Sequence, residues 1–194
     1  MGFSDEAWGG GGVARGSTVT LGRYRWKGNP GGEPLSWTAL WSDSGETLVV
    51  SAVGVAFRPL DDTDRNDLTW ENSSLRGWLN TDFYNETFSD AEKLRILEKP
   101  LGGTSPVLRD RVFCLSSAMV LMWFGGELDR KCPRASWLSE NAENSSCYGT
   151  WWLRTPGAFP GSMARVNSLG ELDSYGYRAG AAGVLVRPAL WLGG

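Results

Sequence analysis

Short runs of alternating apolar and polar positions open the chain. Thr18-Val19-Thr20-Leu21 alternates, and Leu35-Ser36-Trp37-Thr38-Ala39-Leu40-Trp41 places Leu35, Trp37, Ala39 and Trp41 on one face of a strand. The turn-rich Gly28-Asn29-Pro30-Gly31-Gly32 separates the two, Ser42-Asp43-Ser44-Gly45 forms another turn, and Thr47 to Val53 supplies a third strand. An antiparallel meander is the expected arrangement.

After this the period lengthens. Asn72 or Ser73 can cap a helix in which Leu75, Trp78 and Leu79 share one face. Ser89 with Glu92 has the spacing of a capping box for another helix, with Leu94 and Leu97 as its apolar side. Val112 to Leu115 reads as a strand. Ser116 or Ser117 caps a helix over 118–124, an apolar run sized for the core, and Gly125 and Gly126 end it. The polar segment 127–150 reads as surface loop. Short strands, two or three helices and no βαβ rhythm predict an α+β fold with a loop-rich C-terminal end. One domain is expected over 17–194, behind a flexible Gly-rich tail over 1–16 that includes the run Gly9 to Gly12.

Composition narrows the chemistry. The 194 residues are 41% hydrophobic and include 11 Trp, ample for a core of large rings. A net charge of -3 with scattered Lys and Arg argues against nucleic acid, since phosphate tracking needs clustered cations. No run approaches the ~20 apolar residues that span a bilayer, so membrane insertion is not expected. There is no His, which removes Ser-His-Asp and Cys-His hydrolases and the HExxH metalloproteases. Cys114, Cys132 and Cys147 form no CxxC pair, and neither a zinc site nor a cofactor is expected. The acidic cluster Asp61-Asp62-Thr63-Asp64 with Asp67 reads as a solvated turn in preference to a cation site. Asn72, Asn85 and Asn144 begin N-x-S/T triplets. With Asp5 and Glu6 near the start and no basic-then-apolar layout, no export signal is visible, so glycosylation is not expected and localisation stays open.

The C-terminal stretch is the most informative. It opens with Trp151-Trp152-Leu153-Arg154-Thr155-Pro156-Gly157 and closes with Val186-Arg187-Pro188-Ala189-Leu190-Trp191-Leu192. Between them lie Gly, Ala and Ser with interspersed Tyr and Arg, the composition of an adaptable recognition loop. Trp151, Trp152 and Trp191 are expected in the core, and Arg154 and Arg187 on loop carbonyls.

These bookends, the earlier Thr69-Trp70-Glu71-Asn72-Ser73-Ser74-Leu75-Arg76-Gly77-Trp78-Leu79-Asn80, and Val112-Phe113-Cys114-Leu115-Ser116 resemble a bacterial and phage family of C-type-lectin-like domains. The resemblance covers residues 18–192 in order and implies a C-type-lectin-like fold related to that of formylglycine-generating enzymes. A subset of that family are variable proteins of diversity-generating retroelements, in which codons near the 3′ end of the gene are scrambled. Segment 158–185 occupies the place of that variable region. The resemblance implies a non-enzymatic, receptor-recognition module that binds a protein or glycan on a cell surface. Phe159, Ser162, Arg165, Asn167, Leu169, Glu171, Asp173, Tyr175, Tyr177 and Arg178 are the expected exposed, ligand-facing residues, with Tyr175, Tyr177 and Arg178 foremost. A structural or self-assembling module of fixed specificity is the alternative, and oligomeric state is open. A formylglycine-generating activity would need a Cys pair near the C-terminal end, and no Cys follows Cys147. The EPN- or QPD-type triplet of calcium-dependent lectins is absent as well.

Overall fold

The computed structural model describes residues 13–26, 29–63, 65–101, 108–141 and 147–194. The Gly9 to Gly12 run, Gly28, Asp64 and the Asn144 triplet lie outside them. Strands β1 (Thr18–Trp26) and β2 (Asn29–Asp43) pair antiparallel, with Val19 opposite Trp37. Asn29 to Gly32 belong to β2 and are not the expected turn: Asn29 already pairs with Trp26, and Arg23 donates to the Gly31 and Gly32 carbonyls at 3.2 and 2.8 Å. Alternation along β2 is as expected through Ala39. A register shift between Ala39 and Trp41 then buries Leu40 and Ser42, and leaves Trp41 half-buried, edge-on to a half-buried Trp191 at 5.4 Å. Trp191 is thus at the margin of the core that it was expected to enter. Strand β3 (Glu46–Ser51) follows a two-residue turn in which Ser44 and Gly45 have φ of 50° and 82°, the left-handed pair that suits a twisted hairpin.

After β4 (Ala56–Phe57), Ser73 caps α1 (Ser74–Trp78), which runs through one π turn at Leu79–Phe83 into α2 (Tyr84–Thr87). Ser89 and Glu92 form the capping box of α3 (Asp90–Lys93). That helix is only four residues long, and Leu94 is 87% exposed instead of packed. Glu92 docks it, accepting from Gly22 N at 2.7 Å, so no apolar stripe is needed. The chain continues through β5 (Ile96–Leu97), β6 (Lys99–Pro100), β7 (Arg109–Asp110) and β8 (Val112–Cys114). Ser116 caps α4 (Ser117–Trp123), which buries Val120 but leaves Leu121 and Met122 exposed, so the apolar run is only partly core. The region expected as surface loop contains α5 (Glu127–Arg130) and the paired β9 (Cys132–Pro133) and β10 (Tyr148–Gly149).

The C-terminal end is strand-rich: β11 (Trp151–Pro156), β12 (Ser162–Val166), β13 (Leu172–Arg178), β14 (Leu185–Val186) and β15 (Pro188–Gly193). One sheet runs β1-β2-β3-β15-β5, with β8 sharing the far side of β15. The other runs β13-β12-β11-β14-β4. Among the described residues strand clearly outweighs helix, and an antiparallel sheet curls into a half-barrel. This mostly-β architecture replaces the expected α+β, C-type-lectin-like fold with its loop-rich end. The helices are too short to form a layer, and the glycines of 158–185 serve bulges and turns between paired strands.

The core carries Trp37, Trp151 and Trp152 at 0% exposure. Their indole N–H groups donate to the carbonyls of Leu21, Arg130 and Arg58 at 2.8, 3.0 and 2.9 Å, so the large rings are buried without an orphaned donor. Arg154 donates to the Leu101 carbonyl in a loop, as expected, whereas Arg187 donates to carbonyls of Ser51 in β3 and Arg130 in α5 and not to a loop.

Candidate functional site

Strands β12 and β13 form an antiparallel hairpin at the edge of the second sheet. Its tip is closed by Asn167, whose Oδ1 accepts from the N–H groups of Leu169 and Glu171 at 2.9 and 3.0 Å. Gly170, with φ of 92°, passes against the backbone of Glu127, where no side chain would fit. At the opposite end Ser162 Oγ donates to the Phe159 carbonyl at 2.5 Å and accepts from its N–H at 3.2 Å. Ser162 is 3% exposed, so its expected place at the ligand surface is corrected: the hydroxyl is used up closing a turn.

Between these ends β13 bulges. The register moves from Met163 opposite Tyr177 to Arg165 opposite Asp173. Asp173 holds the bulge, accepting from Gly176 N at 3.1 Å and from Arg165 Nε at 2.9 Å. Burial would raise its carboxyl, but the Arg165 and Gly176 hydrogen bonds and the Arg165 charge hold it below the usual carboxylate range.

The bulge opens a cleft of about 870 Å³. Phe159, Arg165, Asp173, Tyr175, Tyr177 and Arg178 line it, six of the residues singled out in the sequence. Tyr175 is 70% exposed and leans on Phe159 with ring centroids 5.4 Å apart, while the half-exposed Tyr177 lies beneath the Arg165 guanidinium. Leu169 and Glu171 are exposed at the hairpin tip and, with Asn167, do not line the cleft.

Asp62, Gly180 and Ala181 also line it and were missed. Asp62 arrives because Leu60 N and Asp61 N donate to the Ala179 carbonyl at 2.8 and 3.3 Å. Its only sequence signal was the acidic cluster. Asp61, the buried member, accepts from Ser74 N at 2.8 Å and Thr63 Oγ1 at 2.6 Å and pairs with Arg65 at 3.2 Å. Burial works to raise its carboxyl, and these bonds outweigh it, so Asp61 titrates below its ordinary value. It acts as an anchor for the turn that carries Asp62.

The thiols are free, and burial pushes that of Cys114 up to about 12 and that of Cys132 up as well, while Cys147 is exposed. Among the described residues no helix is long and apolar enough to cross a membrane.

No curated protein and no solved structure matches the chain. Residues 44–194, most of the chain and all of the cleft, match a family described as a domain of unknown function (DUF6273), and the chain belongs to that family.

Proposed function

We propose that the chain is a ligand-binding module that presents the cleft of the β12–β13 hairpin to a protein or glycan on a cell surface. One observation carries this reading. Six side chains from one short segment converge on an open cleft, while the ends of the hairpin are held by Asn167 and Ser162 and its bulge by the Arg165–Asp173 pair. Aromatic faces beside guanidinium and carboxylate groups suit a ligand with both apolar and hydrogen-bonding surface. A preformed hairpin lowers the ordering cost of binding. The exposed rings of Tyr175 and Tyr177 make none of these hydrogen bonds, so they can be exchanged without loss of the fold. The likeness of the flanking segments to those of retroelement-diversified proteins supports such exchange within 158–185.

The test compares the chain with its Y175A/Y177A/R178A variant on a glycan array and on a displayed-peptide library. Binding by the parent chain that the variant loses is the expected result, and a variant that keeps every parent ligand overturns the assignment. A near-copy of the 158–185 codons beside a reverse-transcriptase gene, differing where the copy has adenine, is expected for the diversified form. Without it, the module has fixed specificity. A mass that rises with concentration and is unaffected by the triple substitution favours self-assembly through another surface.

A further inference from the structure

A second cleft, of about 660 Å³, opens beside β2 and the end of α4. Arg187 lines it, yet that side chain is almost wholly enclosed, with the residue only 4% exposed. Its Nε donates to the Ser51 carbonyl at 3.0 Å and its Nη1 to the Arg130 carbonyl at 3.2 Å. The guanidinium carbon lies 5.1 Å from the Trp151 ring centroid and 5.5 Å from that of Phe124. These partners are dipoles and π faces, and none carries a full negative charge. Among the described residues no carboxylate forms an ion pair with Arg187.

The rim adds a second cation. Arg15 donates from Nη2 to the Trp123 carbonyl at 2.7 Å and faces the same space. Asp129 also lines the cleft, but it is exposed and forms no ion pair with either arginine. The lining is about equally polar and apolar, with Leu40, Trp123 and Phe124 contributing apolar surface.

A buried cation without a counter-charge is costly, and an anion entering an open cleft offsets that cost. The shape and lining decide which anion. A phosphate dianion needs several converging donors, whereas two guanidinium groups beside Trp123 and Phe124 suit a single carboxylate with an apolar body. We propose that this cleft binds a small organic carboxylate, with its charge on Arg187 and Arg15 and its body against Trp123 and Phe124. The site is separate from the hairpin cleft and does not rest on the function proposed for it.

The test uses the full chain titrated with benzoate, and in parallel with acetate and inorganic phosphate, at constant ionic strength. Indole fluorescence and amide chemical shifts are followed. Benzoate is expected to give a saturable response, with shifts centred on Gly16, Thr38, Trp123 and Arg187, and to bind more tightly than acetate or phosphate. The exposed R15Q substitution and the charge-preserving R187K are each expected to weaken benzoate about tenfold or more. If R187K does not fold, R15Q and the shift map decide the question. The proposal is overturned if benzoate gives no saturable response, if its shifts fall on the β12–β13 hairpin instead, if phosphate binds more tightly, or if R15Q leaves the affinity unchanged.

Discussion

The guanidinium of Arg165 lies 4.1 Å from the centroid of the Tyr177 ring while its Nε donates to Asp173 at 2.9 Å. Arg165 therefore joins the two halves of the β13 bulge, holding the carboxylate that shapes the bulge and the ring that faces the cleft. Positioning and presentation are divided between neighbouring side chains, and this division can be probed by substitution.

Tyr175→Ala and Arg178→Ala truncate exposed side chains, the first with loss of the Phe159 ring contact, so each is expected to cost no more than about 1 kcal/mol. Tyr177→Ala also loses the contact with Arg165 and should cost about 0.5–1 kcal/mol. Chemical denaturation of the three single variants checks this. A large loss for Tyr175→Ala would place that ring in the core and remove it from the candidate surface.

Two glycines with positive φ should respond differently to alanine. Gly45 has φ of 82° and open space where a methyl group would stand, so Gly45→Ala should cost about 1–2 kcal/mol from backbone strain alone. Gly170 has φ of 92° and presses on the Glu127 backbone, so Gly170→Ala should cost distinctly more. Equal losses in a pair of thermal melts would mean that the hairpin tip is not packed against α5.

Acid should weaken the fold through Asp61, Glu92 and Asp173. For Glu92 too, burial works to raise the carboxyl, but bonds from Gly22 N and from Ser89 N and Oγ, with the charge of Arg95, hold it below its ordinary value. The folded forms of all three titrate lower than their unfolded counterparts, so the unfolded chain binds more protons between the two values and stability rises with pH there. Their contribution is complete above the unfolded carboxylate range, at about pH 4, and is lost as pH falls through the folded values. Asp61→Asn should cost about 1.5–3 kcal/mol at neutral pH. It should also flatten the acid limb of a plot of melting temperature against pH, and an unchanged limb would remove Asp61 from the account.

Thiol chemistry should separate the three cysteines. Cys147 is exposed, whereas Cys114 and Cys132 are at 0% exposure with raised thiol pKa values. A thiol reagent at neutral pH is expected to label Cys147 quickly and the other two only on unfolding. Rapid labelling of Cys114 would indicate opening of the sheet at β8.

Trp152→Ala should cost about 3–5 kcal/mol, because a fully buried ring and its bond to the Arg58 carbonyl are both lost. Equilibrium unfolding of that variant, beside the surface substitutions, gives the scale against which the others are read.

Features set by neighbouring residues were legible from the chain alone. The caps at Ser73, Ser89 and Ser116 depend on a side chain reaching an N–H three residues on, and the Ser44-Gly45 turn depends on left-handed backbone. The buried Trp37, Trp151 and Trp152 follow from ring size, and the residues that line the cleft came largely from a short segment of Tyr, Arg and Asp. Other features needed partners distant in sequence. Strand β13 has only Gly176 buried along its length, so it lacks the apolar alternation that announces a strand, and its pairing with β12 is what makes it one. Leu94 had helical spacing but no partner to cover it. Asp62 reaches the cleft only because the Ala179 carbonyl captures the backbone at residues 60 and 61. Local hydrogen bonds and side-chain size are written in short stretches of sequence, whereas strand pairing and the convergence of remote loops are decided by which surfaces the folded chain buries together.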